Sequence, residues 1–460
     1  MMIDRRSFLG SAAACIAIPN AGHSASNLLR AAPGTQQIAP DRFDPTDLWV
    51  FDGAMPGRSL RARQGDRLSI TVENALPDPT SVHWHGLRID NAMDGVPGLT
   101  QEAIAPGDRF DYDFALPDAG TYWYHSHAQS VQQVERGLYG PLIVEEAEGA
   151  PDIDQDLTLM LDDIRLTETA QVSDDFGNFH DNSHAGRFGN VWLVNGQMEP
   201  KYAVQRGQRL RLRLISAANA RVFQLGLSGM SGHLVALDGM PLSEPALIQD
   251  TFSLAPAQRA DLIVDVTTDE AEAFLISFER DGGYAMASFP VSGAKQALRP
   301  PPAALPANPD FPIDLKSART ATLLMEGGAM GGMRSARLNG TQLDIRDLAQ
   351  RGKFWAFNGT VGDMKAYGRD TPLIDVAQGE SVRIGLANDT AFAHAMHLHG
   401  MHFSEVLADG SLGPLRDTLL MQRGETREIA FNAHNPGDWL FHCHILGHHA
   451  SGMGTWLRVT

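Results

Sequence analysis

A short phrase written three times constrains this chain more than any other feature. QGDRLSITVEN (64–74) returns as RGQRLRLRLIS (206–216) and again as QGESVRIGLAN (378–388). In each, a glycine opens a turn and apolar positions then alternate with a period of two, which predicts a turn feeding a half-buried strand. The glycines Gly65, Gly207 and Gly379 stand about one all-β domain apart. A second phrase, GTYWYHSH (120–127), returns as GDWLFHCH (437–444). The chain therefore reads as all-β, with three consecutive strand-rich domains. We expect a leader over 1–32, domains over 33–148, 149–292 and 321–460, and a proline-rich linker over 293–320.

Bulk properties narrow the function classes. The 45 glycines and 26 prolines suit short strands joined by turns. A formal net charge of −18, with arginines scattered along the chain, argues against nucleic acid, whose binding needs clustered cations. No stretch reaches the roughly 18 apolar residues of a membrane span. The start, DRRSFLG (4–10) followed by SAAACIAIP, resembles a twin-arginine export signal. That resemblance implies recognition by the twin-arginine machinery, export of an already folded protein, and a periplasmic or secreted location. The mature chain is expected to begin between about residues 21 and 32. Cys15 would leave with the leader, so Cys443 would be the one cysteine of the exported protein and no disulfide framework is possible.

The offsets from the repeated glycines expose a pattern of histidines. His83 and His85 follow Gly65 in HWHG, and His397 and His399 follow Gly379 at the same spacing in HLHG. The second phrase adds His125 and His127 in the first repeat, and His442 and His444 in the third. The corresponding stretches of the second repeat, RVFQLGL (221–227) and FLISFE (274–279), carry none, so the middle domain reads as a spacer. On a strand, residues i and i+2 share a face, about 6.6 Å apart. An isolated His-X-His is ordinarily two unremarkable histidines, but four pairs in matched register point to metal. Neutral imidazole suits copper, zinc, iron or nickel.

Cys443 decides among these metals. Eight histidines overshoot a zinc site, which closes with four ligands or with three and water. His394, Cys443 and His448 supply two imidazoles and a thiolate, and Met453 lies ten residues beyond the cysteine. That is the donor set of a blue-copper electron-transfer centre with a weak axial thioether. The competing role for Met453 is core packing. The first repeat serves as an internal control: Thr80, Ser126, Val131 and Arg136 occupy the matching positions, and they make no such site.

With HWHG from His83, WYHSH from Trp123, HAMHLHG from His394 and HCHILGHHASGM from His442, the sequence resembles the three-domain multicopper oxidases, the laccase and cuprous-oxidase family. The resemblance implies three consecutive cupredoxin-like Greek-key β-barrels and four copper ions. It implies that His394, Cys443, His448 and Met453 hold a type 1 copper and that His83 and His397 hold a type 2 copper. His85, His125, His127, His399, His442 and His444 would then hold a type 3 pair. Cys443, His442 and His444 would carry electrons from the first site to the second. The implied reaction is four one-electron oxidations of a reductant, phenolic or aromatic, with reduction of O2 to water. The alternatives are oxidation of Cu(I) or Mn(II) for metal tolerance, or a copper-free scaffold, which would show eroded ligand positions.

Asp94, in DGVPG (94–98), matches an acidic position near the type 2 copper in that family and is expected to relay protons or to support the ligands, a turn-forming role being the alternative. Where some relatives carry an acid after the last type 1 histidine, this chain has His449. His180, His184, His233, His402 and His434 match no ligand position and are expected in surface or loop settings. The tract MEGGAMGGM (325–333) offers thioethers that suit Cu(I), but it reads first as packing or linker.

Overall fold

The computed structural model describes residues 27–280, 282–294, 296–363 and 371–460. The twin-arginine motif lies outside the described residues. Among them, no helix is long and apolar enough to cross a membrane.

The three repeated phrases form three equivalent strands. Arg67–Asn74 pairs in parallel with Leu28–Gln36 and antiparallel with Arg109–Ala115. Arg209–Ser216 lies in the same way between Gln155–Ile164 and Arg259–Val266. Ser381–Asn388 lies between Arg319–Gly327 and Thr426–Asn432. Each of these sheets is joined by a second one, so that three cupredoxin-like units follow one another along the chain. Each unit has its own apolar core, around Trp84 and Tyr112 in the first, Leu212 and Phe289 in the second, and Trp439 and Phe441 in the third.

Two local details depart from the sequence reading, and a third refines it. The first strand begins at Leu28, ahead of the expected start at 33, because Leu29 and Ala31 are already core residues. The middle repeat is buried along its whole length and not on one face alone. Its arginines leave water only because they are paired: Arg211 with Glu146 and Asp261, and Arg213 with Asp156. The 325–333 tract divides, with Met325 in the third core and Met330 81% exposed.

The strands that matter for function form hairpin-like pairs at matching places in the first and third units. Val82–His85 pairs with Gly120–Ser126 so that His83 faces His125 in register. His394–Leu398 pairs with Gly437–Cys443, with His397 opposite His442 and Met396 opposite Cys443. Alternation then separates the two sides of each strand. Trp439, Phe441 and Cys443 point into the third core. Leu440 points the other way, against Val96 of the first unit. Asn91 and Asn435 tie the first and third units together by donating to the carbonyls of Asp438 and Ile89.

Candidate metal centre

Two groups of donors lie on opposite sides of the strand that ends at Cys443. On the core side, Cys443 Sγ is 3.6 Å from His394 Nδ1 and 3.7 Å from His448 Nδ1, and the two Nδ1 atoms are 3.0 Å apart. Their orientation is set from behind. His448 donates through Nε2 to the carbonyl of His184 at 2.6 Å, so its lone pair must sit on Nδ1. His394 Nε2 is 2.7 Å from Thr390 Oγ1, whose own proton goes to Asn388 Oδ1, so His394 also keeps its lone pair on Nδ1. Three soft donors thus converge on one point. Met453 is fully buried in the same core, its carbonyl accepting from the Cys443 amide.

Burial pushes the Cys443 thiol up to about 12 and His448 down to about 3. Neutral imidazoles are in the ligating form, whereas a thiol at this position becomes a thiolate only beside a cation. The donor set therefore fits a metal ion better than it fits a dry core. In the first unit the matching space is closed: Gln133 Oε1 accepts from Thr80 at 2.7 Å and from Ser126 at 2.5 Å.

On the other side, eight imidazoles meet between the first and third units. The rings of His83 and His399 stack at 3.9 Å, and those of His85 and His397 at 3.8 Å. His127 lies 5.5 Å from His442, and His125 lies 5.2 Å from His444. Outward-facing nitrogens are again fixed by backbone carbonyls. Nδ1 donates to the carbonyl of Asp94 from His83, of Ser126 from His125, of Asp417 from His397 and of Cys443 from His442. Each of those rings therefore turns an Nε2 lone pair inward. The Nε2 atoms of His83, His125 and His397, the Nδ1 of His85, and both ring nitrogens of His127 and His444 are buried with no hydrogen-bond partner. Several such orphans in one place are costly unless an ion takes them up. Burial also lowers His85, His125, His127, His399, His442 and His444 well below the usual imidazole range, which keeps them unprotonated.

The structure brings the histidines and Cys443 named from the sequence into these two groups and places Asp94 beside the second. The Asp94 carboxylate is buried, 3.0 Å from His399 Nδ1 and 3.3 Å from His83 Nδ1. His449 is buried too, its ring 4.1 Å from that of His442. Asp417 was missed. Its carboxylate reaches 3.4 Å from His85 Nε2 and 3.3 Å from His397 Nδ1, and no spacing in RDT (416–418) advertises this. Two expectations need correction. His402 lies in a loop but is buried, with Nε2 3.6 Å from Asp417, because its loop is packed between the second and third units. The middle domain is no mere spacer: it supplies the His184 carbonyl to one group, and Arg259 and Asp238 to the surroundings of the other.

Comparison with known proteins agrees with this architecture. Family models described as multicopper oxidase match residues 34–149, 155–294 and 339–460. A solved multicopper oxidase from Pseudomonas thermotolerans is 32% identical, with a TM-score of 0.81 over 94% of this chain and 98% of that one. Lac15, from a marine microbial metagenome, is 42% identical with a TM-score of 0.75 over 94% of this chain and 99% of its own. Copper resistance protein A of Pseudomonas syringae pv. tomato is 27% identical, covering 89% of each chain. The chain belongs to the multicopper oxidase family. It is an oxidoreductase, and membership implies copper as its cofactor, which suits the donors described above.

Proposed function

We propose that this chain is an exported four-copper oxidase that couples four one-electron oxidations of a phenolic or aromatic reductant to reduction of one O2 to two waters. In this reading His394, Cys443, His448 and Met453 hold the type 1 copper. His83 and His397 hold the type 2 copper, and His85, His125, His127, His399, His442 and His444 hold the type 3 pair. Bound copper supplies the one-electron couples and the place where O2 is reduced. The observation that carries the reading is the pair of convergent donor sets joined by a single peptide unit, Cys443 facing one and His442 the other.

The chain's own residues explain how the two sites stay separate. Cys443 lies among apolar side chains that exclude water, while His442 and His444 leave the same strand end toward the other six imidazoles. Asp94 and Asp417 are the carboxylates placed to hold protons or to orient rings there. At the other end, His448 is fully buried, so a donor meets the wall around it and not the imidazole. The exposed part of that wall is Phe179, 61% exposed and edge-on against Phe354 at 4.8 Å, with Trp355 buried beneath it 4.3 Å from the His448 ring. An aromatic wall favours an aromatic donor.

A second reading, oxidation of Cu(I) for metal tolerance, draws on the relative named copper resistance protein A. It also draws on Met330, an exposed thioether next to Ala329, whose amide donates to the Ser183 carbonyl of that wall. Oxygen uptake by the copper-loaded protein, with a bulky phenol and with Cu(I) in turn, separates the two readings. Cys443→Ser should lose the blue absorption and oxygen uptake with either donor. No uptake with either donor at full copper loading overturns the oxidase reading. Export is checked by cell fractionation, and confinement to the cytoplasm counts against it.

A further inference from the structure

We infer that Arg259, from the middle domain, is the positioning residue that holds Asp417 against His85 and His397 and so completes the cluster from outside. The inference rests on the reading that these two histidines are copper ligands.

Arg259 is fully buried, and each of its side-chain N–H groups has a partner. Nη1 and Nη2 grip the two oxygens of Asp417 at 2.9 and 2.6 Å. The remaining donors go to backbone carbonyls: Nε to Thr121 at 3.2 Å, Nη1 to Ala257 at 3.2 Å and Nη2 to Asp238 at 2.8 Å. One guanidinium therefore touches all three domains, since Thr121 belongs to the first, Ala257 and Asp238 to the second, and Asp417 to the third.

Asp417 is held from two directions by the same domain. Its side chain is gripped by Arg259, while the Asp238 carboxylate accepts from the amides of Asp417 at 3.2 Å and Thr418 at 3.1 Å. Asp238 is itself tied back to the Arg259 amide at 2.9 Å. Its grip on the backbone fixes the Asp417 carbonyl, which takes the Nδ1 proton of His397 and so aims that ring. The Asp417 carboxylate lies between His397 and His85, one from each flanking domain. Neither domain could set this carboxylate alone.

Gly86 gives independent support. It follows His85 with φ +87°, and a Cβ there would collide with the Arg259 guanidinium and the Asp417 carboxylate. The glycine that closes HWHG thus leaves the space in which the ion pair lies. Its counterpart Gly400 does something different, clearing the Trp439 ring. The clearance at Gly86 is specific to the approach of the middle domain.

Arg259→Lys tests the inference, because lysine keeps the charge but cannot form the two-pronged grip. Copper retention against a graded chelator should weaken about 10- to 100-fold at the cluster. The type 2 electron paramagnetic resonance signal should change or vanish while the type 1 absorption stays near wild type, with a lowered melting temperature that still leaves the protein folded in the assay. Cluster copper and type 2 signal matching wild type overturn the inference. So does loss of type 1 absorption in parallel with the cluster copper, which marks a mere structural strut. If Arg259→Lys does not accumulate folded, Asp238→Asn is read against the same outcomes, since it weakens the hold on the Asp417 and Thr418 amides while leaving the Arg259 guanidinium on Asp417. A wild-type protein that binds type 1 copper but none at the cluster overturns the parent reading, and this inference with it.

Discussion

Where an imidazole of the two donor groups is anchored, one nitrogen is held and the other aims inward, and the anchors explain the site residue by residue. Backbone carbonyls cannot donate, so a ring nitrogen resting on one must carry the proton. Asp94 and Asp417 act twice over: Asp94 anchors His83 by its carbonyl and reaches His399 by its carboxylate, and Asp417 does the same for His397 and His85. Asp94→Asn keeps the shape and the carbonyl but removes the charge. We expect oxygen turnover to slow about tenfold, the scale of lost support behind a metal ligand, with the type 1 absorption unchanged. An oxygen electrode measures it, and equal turnover across pH removes Asp94 from the mechanism. Asp94 was readable because it sits in a turn just beyond HWHG. Asp417 was not, because its role depends on Arg259, 158 residues away.

At the scale of elements, period-two alternation made the ligand strands legible and their faces predictable. The short helices were not legible. Leu446–Ala450 has too few residues to show a helical period, yet it turns His448 toward Cys443 and His449 toward His442. The turn after Asp94 is equally decisive. Gly95 has φ +82°, and a Cβ there would collide with the Val82 carbonyl at the start of the Val82–His85 strand. Gly95→Ala should therefore cost about 1–3 kcal/mol through backbone strain. It should lower the melting temperature and weaken cluster copper before type 1 copper, read by calorimetry together with metal content.

For the whole molecule, bringing the two ends of the chain together collects imidazoles out of water, and acid is the price. Desolvation lowers His394, His397, His85, His125, His127, His399, His442 and His444, and takes His402, His448 and His449 to about 3. A histidine depressed in the fold binds its proton first in the unfolded chain, so its stabilisation is present above about pH 6.5 and lost as pH falls below it. Glu135, raised to about 7, and Asp163 and Asp238, each raised to about 6, act in the opposite sense, their contribution being lost as pH rises. The imidazoles outnumber them. The metal-free protein should melt at progressively lower temperature from pH 7 to pH 5 in scanning calorimetry. A flat or rising profile would show that the carboxyl groups dominate.

By itself the sequence determined which residues can serve as donors, which strand face each takes, and that the first repeat cannot build the cysteine site. These follow from strand alternation and side-chain chemistry, both local. Only the tertiary structure decided which faces meet, which ring nitrogen carries the proton, and that the middle domain supplies Arg259, Asp238 and the His184 carbonyl. The physical reason is that a buried polar group takes whatever partner three-domain packing brings within about 3 Å, and nothing near it in the chain announces that partner.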